Sequence, residues 1–359
     1  MKISVMCIAS RSGGGLTVLQ SLVDYAVSAD TGNEWQFIVS DQELPAATER
    51  VSIVRACPDY RGWRSRLRGE LTVGRRAVQS FHPDVVVSLH NIDTLARGRF
   101  PLAVYVQQAL PFQRDYRLSW RDPRERGLAW RQYLLRFPIL HAVRKAAVTF
   151  VQTSWLAAEL SSAVPGARVR SIGFEQADRG DLPYGPTVRE NRFFFPAAAS
   201  SYKNHRVLHE AVQMLQDRGV AGPVALTLQE QDLRTLIGES AAADFARFDF
   251  RGWLSHEEVL ALHGDSILVF PSLVESLGLP LYEAREAGVW IVAADLAYAR
   301  EALEEYPLVA WFDPQDAASL AAAMEKAWNS SRQERERLSG GAVHGGGWER
   351  MVEELRRAL

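Results

Sequence analysis

The sequence predicts an α/β protein with two Rossmann-like domains, each built on a doubly wound parallel sheet. Three observations support this prediction: the length of 359 residues, the alternation of apolar runs with helical patterns, and the recurrence of that scheme in both halves. One hydrophobic core usually stops growing at about 250–300 residues, so a chain of this length is expected to form two domains.

The predicted strands are short apolar runs separated by segments of helical character. In the first half they are KISVMCIA, WQFIVS, VSIVRA, DVVVSLH, LAVYVQQ, VTFVQT and VRSIGF. In the second half they are RFFFPA, PVALTLQ, FDFRGW, SILVFPS, VWIVAA and LVAWF. Continuous apolar runs between helices are typical of parallel strands that are buried on both faces.

A linker is predicted at residues 173–191, where apolar periodicity gives way to Gly, Pro and charged residues. We therefore expect a first domain at 1–172, a second at 173–347 and a last helix at 348–359. Open parallel sheets bind ligands at the carboxyl ends of their strands, so an active site is expected in the cleft between the domains.

Composition is that of a globular protein, with 47% hydrophobic and 23% charged residues. No apolar run approaches the ~20 residues that a membrane-spanning helix needs. The opening run is followed by glycines, which favours a first core strand over a signal peptide. Cys7 and Cys57 are too few for a disulfide framework or a cysteine-rich zinc site. A cytoplasmic location is expected.

Charge is divided unevenly between the two halves. Residues 1–180 carry 24 Lys and Arg against 16 Asp and Glu, whereas residues 181–359 carry 17 against 27. The first half is therefore expected near an anionic partner, although solvated surface charge is the alternative. No nucleic-acid partner is expected.

The most basic segment is Arg114–Lys145, with nine basic and three acidic residues among five aromatic ones. Basic and aromatic residues together favour docking on an anionic membrane surface. Alternatively, the apolar residues pack into the core and the arginines are solvated. A second cluster of arginines could contribute if it shares the same face: Arg61, Arg64, Arg66, Arg68, Arg75 and Arg76.

Two carboxylates, Glu275 and Glu283, lie eight residues apart after the run SILVFPS. A helix is expected to begin near Leu279, since Pro is accepted in a first helical turn. Glu275 then lies in the loop before the helix and Glu283 lies one turn inside it. The intervening residues 276–279 would present backbone N–H groups, those of Ser276, Leu277, Gly278 and Leu279, to an anion such as a diphosphate. Alternatively, Glu275 caps the helix and Glu283 is solvated.

Lys203 follows the run RFFFPA and precedes a predicted helix, at the mouth of the same crevice. A lysine there can act as a point charge for a phosphate. The alternative, an unliganded lysine, has no local stabilisation, because a positive charge opposes the helix dipole at that end.

The first half offers further candidates after its own strands. Gly14 and Gly15 belong to a glycine run that follows the first strand, where the backbone could approach a ligand, although a plain tight turn is also compatible. His90–Asn91 and Gln107–Gln108 follow two later strands, and a lone histidine is often structural.

The residue patterns of other chemistries are absent from the sequence. It contains no D-x-D, no Cys/His cluster with metal spacing, and neither G-x-S-x-G nor G-x-x-x-x-G-K. No metal and no cofactor are expected, and Lys203 and helix N-termini would neutralise a leaving phosphate.

Taken together, these residues resemble glycosyltransferase family 4, a group of retaining enzymes with the GT-B fold. The most specific part is FPSLVESLGLPLYEAREAG, which is similar to the family's F-P-S-x-x-E-x-x-G-x-P-x-x-E-A-x-x-x-G signature. Also similar are Lys203–Asn204 with the L-x-x-A that follows, the segment Phe250–Val259, and Trp348–Glu349 at the start of the last helix.

The resemblance implies a role for each matching residue. Glu275 would contact hydroxyls of the donor sugar, Glu283 would contact the ribose, and Lys203 would bind the diphosphate. Gly278 and Leu279 would supply N–H groups beside the diphosphate. The remaining candidates would line the donor: Asn204, Trp253 and Leu254 in the second domain, and Gly14, Gly15 and His90 in the first. The last helix, 348–359, would pack back on the first domain.

One departure concerns the phosphate site. Many relatives carry an arginine about five residues before the lysine, and here the corresponding residues are Ala197, Ala198, Ala199 and Ser200. That contact is expected to be absent or to come from Arg206 or Ser201. The Lys-Asn-His version resembles a subgroup often found in bacterial surface-polysaccharide assembly, which implies a lipid-linked acceptor.

The expected function is metal-independent transfer of a sugar from a nucleotide sugar to a hydroxyl of a glycan or lipid-linked oligosaccharide. The diphosphate would leave and the acceptor hydroxyl would attack from the same side, without an obligatory protein nucleophile. The alternatives are a nucleotide-sugar 2-epimerase or phosphorylase of similar fold, and a catalytically silent partner subunit.

Overall fold

The computed structural model describes most of the chain. The described residues are 1–11, 13–59, 61–114, 116–173, 187–188, 191–215, 218–220, 222–238, 244–331, 335–336 and 347–359. The predicted linker, residues 173–191, therefore lies largely outside them. The chain divides into two compact units: Met1–Arg114, Trp130–Ala177 and His344–Leu359 form unit 1, and Asp115–Ala129 and Asp178–Val343 form unit 2.

Unit 1 is built on seven parallel strands in the order β3-β2-β1-β4-β5-β6-β7. The strands are β1 (Lys2–Met6), β2 (Glu34–Val39), β3 (Val51–Arg55), β4 (Val85–Ser88), β5 (Leu102–Val106), β6 (Val148–Val151) and β7 (Val169–Ser171). The helices are α1 (Gly13–Ser28), α2 (Trp63–Gly69), α3 (Arg75–Phe81), α5 (Arg136–Lys145) and α6 (Ser154–Ala163), together with the part of α4 (Arg126–Leu134) from Trp130 onward. A π-helical turn, Glu70–Gly74, joins α2 to α3, and short 3₁₀ turns lie at Leu95–Arg97 and Leu110–Phe112.

Strands β4, β5 and β6 are buried along their whole length, as expected for a sheet with helices on both faces. All seven runs predicted as strands in the first half form strands. Strand order reverses beside β1, which is the arrangement of a doubly wound fold.

Unit 2 contains six parallel strands in the order β11-β10-β9-β12-β13-β14, and a separate antiparallel pair formed by β8 (Thr187–Val188) and β15 (Arg335–Glu336). The six are β9 (Arg192–Phe195), β10 (Val224–Leu226), β11 (Phe248–Phe250), β12 (Ser266–Phe270), β13 (Ile291–Ala294) and β14 (Val309–Phe312). The helices are α7 (His205–Met214), α8 (Glu230–Ile237), α9 (His256–His263), α10 (Leu279–Glu286), α11 (Ala297–Ala302) and α12 (Ala317–Ser331). The six predicted strands are again all present.

The last helix, α13 (Gly347–Ala358), packs in unit 1. Trp348 is buried with its ring centroid 5.6 Å from that of Tyr105 on β5, and its Nε1 donates to Ser21 Oγ on α1 at 2.9 Å. Glu354 accepts from Arg170 Nε at 2.9 Å. An apolar anchor at one end and an ion pair further along thus hold the helix on the sheet.

The basic and aromatic segment Arg114–Lys145 is divided between the two units. Residues 115–129 belong to unit 2, where Arg124 Nη1 donates to Leu236 O at 3.3 Å. Tyr116 Oη donates to Glu125 Oε1 at 2.7 Å, which folds this part of the segment on itself. Arg114 and the part from Trp130 onward belong to unit 1.

In the described part of the chain, no helix is both long and apolar enough to cross a bilayer.

Candidate donor site

The turn that carries Lys203 is fixed from two sides. It is a 3₁₀ turn, Ser201–Lys203, between β9 and α7, and Tyr202 O accepts from Leu273 N at 2.8 Å. Asn204 follows with a left-handed backbone (φ 62°), and its Nδ2 donates to Pro314 O at 2.8 Å. These bonds hold Lys203 beside the loop that follows β12.

Lys203 and Glu275 meet there as an ion pair. Lys203 Nζ lies 2.5 Å from Glu275 Oε1, and the two side chains are 14% and 16% exposed. The ammonium also lies 5.6 Å and 5.8 Å from the ring centroids of Tyr202 and Phe270. Two residues 72 positions apart in sequence are thus brought together. The carboxylate of Glu275 stabilises the Lys203 ammonium, for which the sequence showed no local partner.

Helix α10 begins at Leu279, as predicted, and its N-terminus has no side-chain cap. Gly278 precedes it with a left-handed backbone (φ 75°), and a Cβ there would lie 3.2 Å from Leu281 Cδ1 and 3.4 Å from the Tyr298 ring. The first turn contains no acidic residue. The start of α10 is therefore suited to an anion, because the helix dipole is not offset there.

Glu283 lies one turn inside α10 and is almost fully buried, in contrast to Glu275. Its Oε1 lies 2.7 Å from His256 Nε2, and its Oε2 lies 3.6 Å from His263 Nε2. Burial alone would raise the pKa of Glu283, but the two imidazoles outweigh it and hold the pKa at about 2. Glu283 is thus a buried carboxylate whose present partners are histidines.

Sequence reasoning missed His256 and His263. Both lie on α9, seven residues apart, so they share one face of that helix. His256 is 55% exposed at its side chain, whereas His263 is fully buried beside the Phe194 ring. The spacing of seven was the available signal, but only the fold brings α9 against Glu283.

Trp253 and Leu254 lie in the turn between β11 and α9. Gly252 has a left-handed backbone (φ 68°), and its N–H donates to Leu228 O at 3.2 Å. Ser255 then caps α9 by accepting from Glu258 N. Trp253 is 86% exposed between these fixed points, and Leu254 is half-buried.

The predicted glycine loop in unit 1 is the first turn of α1, which begins at Gly13 rather than after Gly15. Gly13 has a positive φ of 59° and marks the entry to the helix. No atom lies within 4 Å of a Cβ built on Gly14, and on Gly15 the nearest is Ser10 Oγ at 3.6 Å. Open space therefore adjoins Gly14, while Gly15 faces the preceding loop.

His90 is buried in unit 1, with 1% of its side chain exposed. Its Nε2 accepts from Ala9 N at 3.2 Å, and its Nδ1 lies 3.4 Å from Glu70 Oε1. Burial lowers the pKa of His90, although Glu70 opposes the shift, so the ring is neutral. Both nitrogens face the fold, and a sugar could reach Nε2 only if the Ala9 bond broke.

Glu70 lies in the π-helical turn and is buried as well. Arg66 Nε donates to its Oε1 at 2.7 Å, and Thr94 Oγ1 donates to its Oε2 at 2.8 Å. Burial would raise the pKa of Glu70, but His90 and Arg66 lower it to about 2. This carboxylate, which sequence reasoning missed, lies between Arg66 and His90.

The other polar pairs singled out in unit 1 meet at the ends of β4 and β5. Asn91 has a left-handed backbone (φ 67°), and its Oδ1 accepts from Gln107 N at 2.6 Å and Gln108 N at 2.9 Å. Among the described residues, no group of three or more His, Cys, Asp or Glu side chains is placed to hold a metal ion. Arg206 is one of the two residues suggested to replace the phosphate-binding arginine of many relatives. It is exposed, and its Nε lies 3.8 Å from Glu210 Oε1.

Residues 183–342, within unit 2, match the family model described as "Glycosyl transferases group 1". No curated protein sequence matches the chain. Of the solved structures that resemble it, sucrose-phosphate synthase from Thermosynechococcus elongatus is 15% identical with a TM-score of 0.71, over 99% of this chain and 98% of that one.

Two further solved structures are similar over the whole chain. The apo form of the lipopolysaccharide outer core galactosyltransferase WaaB is 12% identical, with a TM-score of 0.67 over 100% of both chains. UDP-GlcNAc 2-epimerase from Methanocaldococcus jannaschii is 14% identical, with a TM-score of 0.57 over 99% of this chain and 100% of that one. The predicted glycosyltransferase resemblance and the predicted GT-B fold are both confirmed.

Proposed function

We propose that this chain, whose second unit matches the glycosyl transferases group 1 model, is a retaining glycosyltransferase that uses a nucleotide-diphosphate sugar. The observation that carries the proposal is the Lys203–Glu275 pair beside the uncapped start of α10. A cation, a carboxylate and a helix N-terminus together offer what a diphosphate and its sugar require.

In this proposal Lys203 and the N–H groups of Gly278 and Leu279 neutralise the charge that develops on the departing diphosphate. Stabilisation of that charge is the main contribution to catalysis. Glu275 leaves Lys203 to accept hydrogen bonds from hydroxyls of the sugar. The acceptor hydroxyl then attacks the anomeric carbon from the face that the diphosphate leaves, and its proton passes to the departing phosphate. Because Lys203 and the helix supply positive charge, the transfer does not require a metal ion.

The nucleoside is assigned to the neighbourhood of Glu283. Its carboxylate is ionised and bonded to His256, so a ribose hydroxyl would share or displace that contact. Trp253, exposed in the turn that leads to α9, is proposed to lie against the base. Asn204, next to Lys203, and Leu254, next to Trp253, complete the proposed donor-lining set.

The acceptor is proposed to be a glycan or a lipid-linked oligosaccharide of a bacterial surface polysaccharide. Support comes from the Lys-Asn-His sequence at 203–205 and from the fold shared with WaaB, which is a lipopolysaccharide outer core galactosyltransferase. The protein would then work at the inner face of the cytoplasmic membrane.

The first experiment is a thermal-shift screen with UDP, GDP, ADP and their sugars. A ligand at 100 times its Kd stabilises the folded protein by ~2.7 kcal/mol, which is readily measured. With the donor identified, we expect Lys203→Ala to lower turnover on the order of 10²–10³-fold, the effect of losing one preorganised donor. Lys326→Ala, at an exposed position on α12, is the matched control and should be normal.

Product analysis separates the alternatives. The anomeric configuration should be retained by NMR, and EDTA should leave activity intact. Near-normal turnover in both Lys203→Ala and Glu275→Gln would remove the proposed site. Donor binding without transfer would identify a silent subunit, and a nucleotide sugar inverted at C2 would identify an epimerase.

A further inference from the structure

Helix α9 presents two histidines to the buried carboxylate of Glu283, and each reaches a different oxygen. His256 Nε2 lies 2.7 Å from Oε1, whereas His263 Nε2 lies 3.6 Å from Oε2. The two imidazoles therefore do not compete for one oxygen. Either contact can change while the other stays in place.

The two histidines differ in their freedom to move. His263 ends α9, its side chain is fully buried, and its ring centroid lies 5.2 Å from that of Phe194 on β9. His256 begins the same helix, and 55% of its side chain is exposed. Because His256 borders solvent, its ring can leave Oε1 by rotation about its own side-chain bonds, whereas His263 is held by the core. His256 is thus the exchangeable partner of Glu283.

The backbone that carries His256 is fixed. Ser255 and Glu258 form a capping box at the start of α9: Ser255 Oγ accepts from Glu258 N at 3.3 Å, and Glu258 Oε2 accepts from Ser255 N at 2.7 Å. The first turn of the helix therefore keeps its place when the ring of His256 moves. Exchange at Oε1 requires a change of one rotamer and no rearrangement of the turn.

Glu283 cannot follow His256 toward solvent. Its side chain is 3% exposed and lies one turn inside α10. A pKa of about 2 keeps this carboxylate ionised at neutral pH. A buried charge that loses a hydrogen bond is costly, so His256 can be displaced only by a group that donates to Oε1 in its place.

We propose that His256 is a specificity-determining residue of the donor site, which holds Glu283 Oε1 until a ribose hydroxyl of the nucleotide replaces it. This inference rests on the proposed function, in which Glu283 contacts the ribose. Trp253, 86% exposed and three residues before His256, is assigned there to the base of the same nucleoside. Replacement of the imidazole N–H by a hydroxyl O–H leaves the carboxylate with the same number of hydrogen bonds.

Competition at Oε1 affects only nucleotides that carry the ribose hydroxyls. A ribonucleotide gains a hydrogen bond to Glu283 and breaks the one from His256, so its affinity reports the difference between the two. A nucleotide without the 2′ and 3′ hydroxyls leaves His256 in place, and its affinity depends on neither contact. His256 therefore reduces the preference of the site for ribose, while it keeps the buried carboxylate hydrogen-bonded before a donor binds.

The test is isothermal titration calorimetry at neutral pH with two ligands: the nucleoside diphosphate found in the thermal-shift screen and its 2′,3′-dideoxy form. His256→Ala should bind the ribonucleotide about tenfold more tightly than the unmodified protein does, which is near the lower end of what a hydrogen bond to a charged group contributes. Its affinity for the dideoxy form should be unchanged. The ratio of the two affinities should therefore rise about tenfold.

Two further variants serve as controls. His256→Gln keeps an N–H group close to the position of Nε2, so its ratio should stay close to that of the unmodified protein. His141→Ala removes an exposed histidine from α5 of unit 1 and should change neither affinity. Thermal melts verify that each variant is folded.

The inference is overturned if the ratio does not rise in His256→Ala, which is the result expected if the ribose and His256 share Glu283. It is also overturned if the ratio rises equally in His256→Gln, because the effect would then come from the volume of the ring. Failure of the proposed function gives a different result: none of UDP, GDP and ADP would bind the unmodified protein, and the inference would fall with it.

Discussion

Glu275→Gln should have opposite effects on nucleotide binding and on sugar transfer. In the ligand-free structure the Glu275 carboxylate holds Lys203 at 2.5 Å, so a diphosphate must compete with it for the same ammonium. Glutamine keeps the shape of the side chain and removes its charge. Lys203 is then free for the phosphate, and a negative charge beside the phosphate is removed as well.

The size of the effect follows from burial of the pair. Fully exposed ion pairs contribute about 0–1 kcal/mol, and a hydrogen bond to a charged group contributes about 1.5–3 kcal/mol. With side chains 14% and 16% exposed, the pair lies between these cases. If the diphosphate no longer has to displace an interaction of about 1–2 kcal/mol, it should bind about 5–30-fold more tightly.

Isothermal titration calorimetry with the nucleoside diphosphate found in the screen measures this directly. Glu325→Gln is the control, because it neutralises a carboxylate paired with Arg218 at 3.2 Å on a different helix of unit 2. Nucleotide binding by Glu325→Gln should be the same as that of the unmodified protein. Transfer by Glu275→Gln should nevertheless be severely impaired, because the sugar loses its acceptor. Nucleotide binding that is weaker in Glu275→Gln than in the unmodified protein would refute the reasoning.

Three further predictions concern stability and are measured by urea unfolding. Gly278→Ala should destabilise unit 2 by more than the roughly 1–2 kcal/mol that its positive φ implies, because the new Cβ meets two buried side chains. Gly166 has a similar φ and no atom within 4 Å of an added Cβ, so Gly166→Ala should show only the cost of the left-handed backbone. Trp348→Ala should cost about 3–5 kcal/mol, and a smaller loss than 1 kcal/mol would mean that α13 is not anchored there. Glu283 has a folded pKa of about 2, below its ordinary 4.5, so its contribution to the free energy of unfolding is complete above pH 4.5 and is lost as pH falls toward 2. In Glu283→Gln this part of the stability loss in acid should be absent. If the free energy of unfolding fell equally with pH in both proteins, the pairing with His256 would be contradicted.

The strands of both sheets were predictable because each buried parallel strand is a local apolar run. The start of α10 was also predictable, since Gly278 and Pro280 mark it within a few residues. Local signals of this kind need no knowledge of what packs against them.

Contacts between distant segments were not predictable in the same way. His256 reaches Glu283 across 27 residues, and Glu70 reaches His90 across 20, through elements whose packing depends on the whole fold. Arg114–Lys145 looked continuous in sequence, yet its first part folds with unit 2. A pattern shows which side chains can bury or ionise, but the partner depends on tertiary structure.

The placement of α13 affects how the protein can be made. The chain passes between the two units four times, at 114–115, 129–130, 177–178 and 343–344, so neither unit is a continuous stretch. During synthesis, domains usually fold in order from the N-terminus. Here the strands of unit 1 would leave the ribosome early, but Trp348 can cover Tyr105 only after almost the entire chain has been synthesised. Until then an apolar surface beside α1 stays open, and a ribosome that stalls within unit 2 would present an unfinished first unit to chaperones.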